Sequence, residues 1–149
     1  MKTTFKTAIL ALLMTLGGIS AARAGNDKPV DVDQLPAKAQ QLIATQFKKK
    51  KVALATQERE LTGRTYDVVF TDGTKVEFDS KGEWTEIDCK GQEVPAALVP
   101  PAIAAHVKKN YPKARIGKIE RKRRSYEVDL SNGLELSFDR DFKLTKIDR

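Results

Sequence analysis

Two pairs of carboxylates are the first residues that could do chemistry. Residues 66–79 read YDVVFTDGTKVEFD and residues 126–139 read YEVDLSNGLELSFD. If each stretch folds back on itself around a three-residue loop, Asp67 faces Glu77 and Asp129 faces Glu135. Facing carboxylates can serve general acid–base catalysis. They can also form an acidic strip that meets a basic partner. A third outcome is neutralisation by basic neighbours on flanking strands, such as Lys75, Lys143 or Lys146. A catalytic pair needs a pocket, and an open sheet face offers little concavity.

The rest of the inventory argues against an enzyme. His106 is the single histidine, and it lies within Ala104-Ala105-His106-Val107, a stretch with helical spacing. Its possible serine partners, Ser80, Ser125, Ser131 and Ser137, are turn and strand residues without a nucleophile-elbow context. Zinc needs three or four N, S or O ligands, and one His plus one Cys falls short. Asp27, Asp31 and Asp33 lack the Gly and Glu positions of a calcium loop. No glycine-rich phosphate loop is present. No metal and no cofactor are expected. Cys89 is the lone cysteine; it is either a partly buried thiol or one half of an intermolecular disulfide. Arg121-Lys122-Arg123-Arg124 reads as a four-residue hairpin loop that sets Ile119 opposite Tyr126. Such a cluster is a solvated turn or a contact for an anionic surface. Export argues against nucleic acid.

The elements that carry these residues come from periodicity. A two-residue Asp72-Gly73 loop would put Val68 opposite Glu77. The loop Thr71-Asp72-Gly73, with Gly73 left-handed, puts Val68 opposite Val76 and Tyr66 opposite Phe78. It likewise puts Val128 opposite Leu136 and Tyr126 opposite Phe138, so one face is apolar in both stretches. A similar turn sets Phe78 opposite Trp84, although Phe142 stands where the second stretch would need glycine. Trp84 and Ile87 have opposite strand parity, so a bulge intervenes or Ile87 is exposed. Upstream, Ala39, Leu42, Ile43 and Phe47 share a helical face, partly repeated by Ile103, Val107 and Tyr111. Pro36 and Pro101 sit near the helix starts. The expected fold is α+β: two tandem repeats, each one helix followed by a four-stranded antiparallel β-meander. The repeats span 25–89 and 95–149, with 90–94 as linker.

Residues 1–24 read as a secretory signal peptide. Lys2 and Lys6 precede an apolar run from Ala8 to Ile19, and Ala22-Arg23-Ala24 supplies the small residues of a cleavage site. Removing them leaves 125 of 149 residues (149 minus 24) and takes Lys2, Lys6 and Arg23 with no acid, so the formal charge falls from +7 to +4. No other apolar run approaches membrane-span length. The expected location is periplasmic or secreted, with no transmembrane segment in the mature chain.

The pattern Tyr66-x-Val68, Asp72-Gly73, Phe78-Asp79-x-x-Gly82-x-Trp84-x-x-Ile87-Asp88-Cys89, Val94-Pro95 resembles the bacterial PepSY-like family, which is also described as similar to the β-lactamase-inhibitor protein fold. The resemblance runs over about residues 30–149, and Phe142 and Leu144 depart from it. It implies an exported protein that grips another protein and supplies no catalytic residues. It does not name β-lactamase as the target, since a fold does not fix a function. The expected function is a non-enzymatic exported binding protein, an inhibitor or accessory subunit of an envelope protein. The surface for a protein partner is Asp67, Glu77, Ile87, Asp129 and Glu135 with Arg121 to Arg124. The alternative is a small-ligand or anion carrier using the cleft between the repeats.

Overall fold

The computed structural model describes residues 27–149. The signal peptide expected at 1–24 lies outside the described residues. Nine strands form one antiparallel sheet in sequential order: β1 (Lys28–Val30), β2 (Val52–Glu60), β3 (Gly63–Phe70), β4 (Lys75–Phe78), β5 (Trp84–Asp88), β6 (Ile116–Arg121), β7 (Ser125–Leu130), β8 (Glu135–Asp139) and β9 (Leu144–Asp148). Two short helices, α1 (Ala37–Gln46) and α2 (Pro101–Asn110), interrupt the strand series.

This corrects the expected architecture. The chain is not two tandem helix-plus-four-strand repeats but one nine-stranded antiparallel sheet with two short helices. β5 pairs with β6 through Glu86↔Glu120, Ile87↔Ile119 and Asp88↔Lys118, so the sheet runs unbroken through the middle of the chain. The physical reason is the edge. A separate unit of about 57 residues would be marginally stable and would leave β5 and β6 as open edges. Pairing them satisfies both strands and buries Ile87 and Ile119 completely. Residues 90–94 are stitched to β6 in turn. The Cys89 amide donates to Gly117 O at 2.9 Å and the Val94 amide to Ile116 O at 2.8 Å. β1 was not foreseen; it adds Lys28, Pro29 and Val30 beside Gln57, Thr56 and Ala55 of β2.

The helices and the inward positions of the strands make one apolar core. Ala39, Ile43 and Phe47 of the first helical segment and Ile103 and Val107 of α2 are buried with Val68, Val76, Ile87, Ile119, Val128 and Leu136. Phe47 meets Phe70 with ring centroids 5.3 Å apart, and His106 meets Phe138 edge-on at 5.3 Å. His106 therefore packs on the core rim.

The hairpin registers follow from which side chains can share the dry face. Tyr66↔Phe78 and Val68↔Val76 pair in β3–β4, and Tyr126↔Phe138 and Val128↔Leu136 pair in β7–β8. Gly73 takes φ +89°, and its amide donates back to Phe70 O at 2.9 Å, as the three-residue loop requires. Gly82 is left-handed at φ +81°, and Phe78 pairs with Trp84. Phe142 fills the matching turn at φ +60° without being glycine, its ring 5.4 Å from Tyr126.

Candidate functional site

Alternation along each strand fixes what the second face carries. With Val68, Val76, Ile87, Ile119 and Val128 turned to the core, their neighbours point the other way. Cross-strand pairing then lines up Asp67↔Glu77, Glu77↔Glu86, Glu86↔Glu120 and Glu120↔Glu127. Five carboxylates on five adjacent strands, β3 to β7, stand in one row across the sheet. A neighbouring row runs Lys75↔Asp88↔Lys118↔Asp129↔Glu135↔Asp148. Both helices contribute to the core on the opposite side.

Lysines interleave with these acids. Lys75 Nζ lies 3.2 Å from Asp67 and 3.0 Å from Glu77. Lys118 is 3.5 Å from Glu86, and Lys122 is 2.8 Å from Glu127. Lys75 thus performs the neutralising role weighed for it, and Lys146 sits 2.6 Å from Asp148 on β9.

The row is half-buried by its own crowding, and titration reflects that. Burial pushes the Asp67 carboxyl up to about 6, against the pull of Lys75 and with the help of Glu77. Burial also raises Glu86, as do Glu77 and Glu120, while Lys118 opposes them. Burial works against the charge of Lys75 and of Lys118, yet Asp67 and Glu77 hold the first above its ordinary range and Glu86 and Asp129 the second. Like charges directly opposite each other on a sheet cost up to about 1 kcal/mol a pair.

The expected surface is distributed differently from its sequence reading. Asp67 and Glu77 face each other, as do Asp129 and Glu135. Ile87 is corrected: a bulge between Glu77 and Phe78 restores the parity, and the side chain is fully buried opposite Val76. The four-residue loop at Arg121–Arg124 is also corrected. The Lys122 amide donates to Ser125 O at 2.8 Å, so the turn is the two residues Arg123-Arg124. Ile119 therefore pairs with Val128 and Arg121 with Tyr126. Arg121 packs its guanidinium 4.6 Å from the Trp84 ring centroid and donates to Trp84 O at 2.6 Å. Lys122 is held by Glu127, while Arg123 and Arg124 remain exposed. Cys89 is buried, and burial lifts its thiol to about 11. An intermolecular disulfide would need that region to open first.

Sequence reasoning missed Glu86, Glu120 and Glu127. The two-residue turn would have found the last two, since it is the register that sets Glu120 opposite Glu127. Glu86 was hidden by the bulge. Among the described residues no group of three or more His, Cys, Asp or Glu is placed to hold a metal ion, because cross-strand spacing spreads the carboxylates along a line. Nor does any described helix have the length and apolarity to cross a membrane.

Residues 64–146 match the family described as beta-lactamase-inhibitor-like and PepSY-like. The chain belongs to the PepSY-like family. Solved structures of similar proteins cover nearly the whole described region of this PepSY-like chain. One, from Bacteroides vulgatus, is provisionally described as a periplasmic protein of the DUF2874 family; it is 51% identical, with a TM-score of 0.82 over 85% of this chain and 99% of that one. A second, from Bacteroides thetaiotaomicron, is provisionally described as calcium-regulated and periplasmic; it is 51% identical, with a TM-score of 0.80 over 83% of this chain and 97% of that one. A third, also from Bacteroides vulgatus, is provisionally described as a periplasmic protein of unknown function; it is 42% identical, with a TM-score of 0.78 over 83% of this chain and 99% of that one. There is no match among curated proteins. The PepSY-like chain shares the periplasmic location of these neighbours.

Proposed function

We propose that this PepSY-like protein is a non-enzymatic periplasmic binding protein that presents the helix-free face of its sheet to a basic surface on another envelope protein. One observation carries the reading: the row Asp67–Glu77–Glu86–Glu120–Glu127. Lys75, Lys118 and Lys122 already offset part of the repulsion along the row, and a partner that brings further cations onto it would relieve the remainder. Complementary charge of this kind speeds encounter and selects partners more than it adds raw affinity. The inhibitor-like description of the family agrees with protein recognition. The acids do not converge on a point, so the calcium regulation ascribed to one neighbour finds no metal cage in this row. The two halves join through the β5–β6 ladder, and the acidic row, which crosses that seam, favours a protein partner over the small-ligand alternative.

The test compares two baits in capture from the native periplasm: the chain from Gly25, and the same chain with Glu86→Gln, Glu120→Gln and Glu127→Gln. The amides keep shape and remove charge. We expect a protein retained by the first bait, lost from the second, and released as salt shortens the screening length from about 10 Å at 0.1 M to about 3 Å at 1 M. Identical retention by both baits would remove the acidic row from recognition.

A further inference from the structure

The two hairpins β4–β5 and β8–β9 have the same geometry and opposite fates. In β4–β5, Val76 pairs with Ile87 and Phe78 with Trp84 across a bulge. In β8–β9, Leu136 pairs with Ile147 and Phe138 with Leu144 across a bulge at the same place. The next strand along, β6, hydrogen-bonds to β5, and there Trp84 is 8% exposed and Ile87 0%. Among the described residues no strand pairs with the far side of β9, and Leu144 is 36% exposed and Ile147 49%. The two sheet edges also differ. β1 carries Pro29, which cannot donate to a further ladder. β9 contains no proline and exposes two large apolar side chains.

We infer that a second copy of this chain covers β9, the two β9 strands pairing antiparallel about a two-fold axis through Ile147. Charge complementarity selects this occupant. In that register Ile147 meets its own counterpart, and Lys146 of each copy faces Asp148 of the other. The three-residue ladder copies one already present in the chain, where Ile87↔Ile119 is flanked by Asp88↔Lys118. There the other flank is the like pair Glu86↔Glu120; across two β9 strands both flanks are complementary. A slip of one residue sets a charged side chain against Ile147. A slip of two sets Lys146 against Lys146 or Asp148 against Asp148. The two-fold through Ile147 thus joins apolar to apolar and cation to anion together. Lys146 and Asp148 already lie 2.6 Å apart along the strand, so the dimer closes a ring of four alternating charges. A perpendicular two-fold keeps the helices of both copies on one side and joins the two acidic faces on the other.

A single edge pairing buries less than a standard interface, so the association is weak and shows at high concentration. Sedimentation equilibrium of the chain from Gly25, from about 10 μM to about 1 mM, tests it. We expect a monomer–dimer equilibrium. Lys146→Glu or Asp148→Lys alone creates two like-charge pairs and weakens the dimer by about tenfold. The double variant Lys146→Glu with Asp148→Lys restores the complementary register, and its dimer constant returns to within about threefold of the parent. A chain that stays monomeric throughout overturns the inference. A dimer that ignores the single changes, or that the double swap does not restore, overturns it as well. These side chains are exposed on an edge strand, and the circular dichroism of each variant verifies that the sheet is intact.

Discussion

At the scale of single residues, the polar face stores an opposition that pH can release. Asp67 holds its proton up to about 6, against 3.8 for an ordinary aspartate, because burial disfavours its charge. The folded protein therefore binds this proton more tightly than the unfolded chain does. Stability contributed by the protonated form is full below about 4 and is lost as pH rises through 6. Asp67→Asn removes the titration. We expect the variant to gain on the order of 1 kcal/mol over the parent at pH 7 and almost nothing at pH 3.5. Urea unfolding at the two pH values measures this, and an equal effect at both would mean that Lys75 fully offsets the burial. Cys89 gives a second residue-scale expectation. A buried thiol lifted to about 11 carries little thiolate at neutral pH. Its reaction with a disulfide reagent should be over about 100-fold slower in the native protein than in denaturant. The protein should run as a monomer with and without reductant on denaturing gels.

Elements decide which of these residues were legible beforehand. The hairpin registers of β3–β4 and β7–β8 could be read because a one-residue slip turns Val68 and Val128 to the wrong side of the sheet. The helix faces of Ile43 and Phe47, and of Ile103 and Val107, could be read from 3.6-residue spacing. Bulges could not. Trp84 and Ile87 look incompatible as one strand until an extra residue restores their parity, and the same irregularity concealed Glu86. The Arg121–Arg124 turn misled because four cations in a row suggest solvent. Arg121 instead lies over the Trp84 ring, where its cation finds a ring and a carbonyl. Whether β5 joins β6 could not be decided beforehand, since pairing between the two halves leaves no local signature in either. Gly82 tests the element scale. A Cβ there would stand 2.8 Å from Pro36 Cβ and 3.0 Å from the Ala39 nitrogen, on a backbone at φ +81°. Gly82→Ala should cost about 1–3 kcal/mol by pushing α1 off the β4–β5 turn. Thermal unfolding that shifts by less than about 2 °C would show that the helix start can yield.

For the whole molecule, the sheet is continuous from β1 to β9. Ile87 and Ile119 lock the halves together at the β5–β6 seam, and both are wholly buried. Ile119→Ala should cost about 2–5 kcal/mol. It should also lower the unfolding of both halves together, so that tryptophan fluorescence from Trp84 and amide exchange in β7–β9 report one transition. Two separated transitions would mean that the seam is weaker than its burial implies. The strand order carries a consequence for how the chain finds this state. Each strand hydrogen-bonds to its neighbour in sequence, from β1 to β9, with no crossover. Six of the eight pairings join strands separated by a short turn, while β1–β2 and β5–β6 close longer loops that contain α1 and α2, so most of the loop-closure entropy is met in small instalments. A chain entering the periplasm amino end first can form β2 to β5 as one meander and then add β6 to β9 as a second across the β5–β6 seam. Of the two edge strands among the described residues, β1 and β9, only β9 is without a proline.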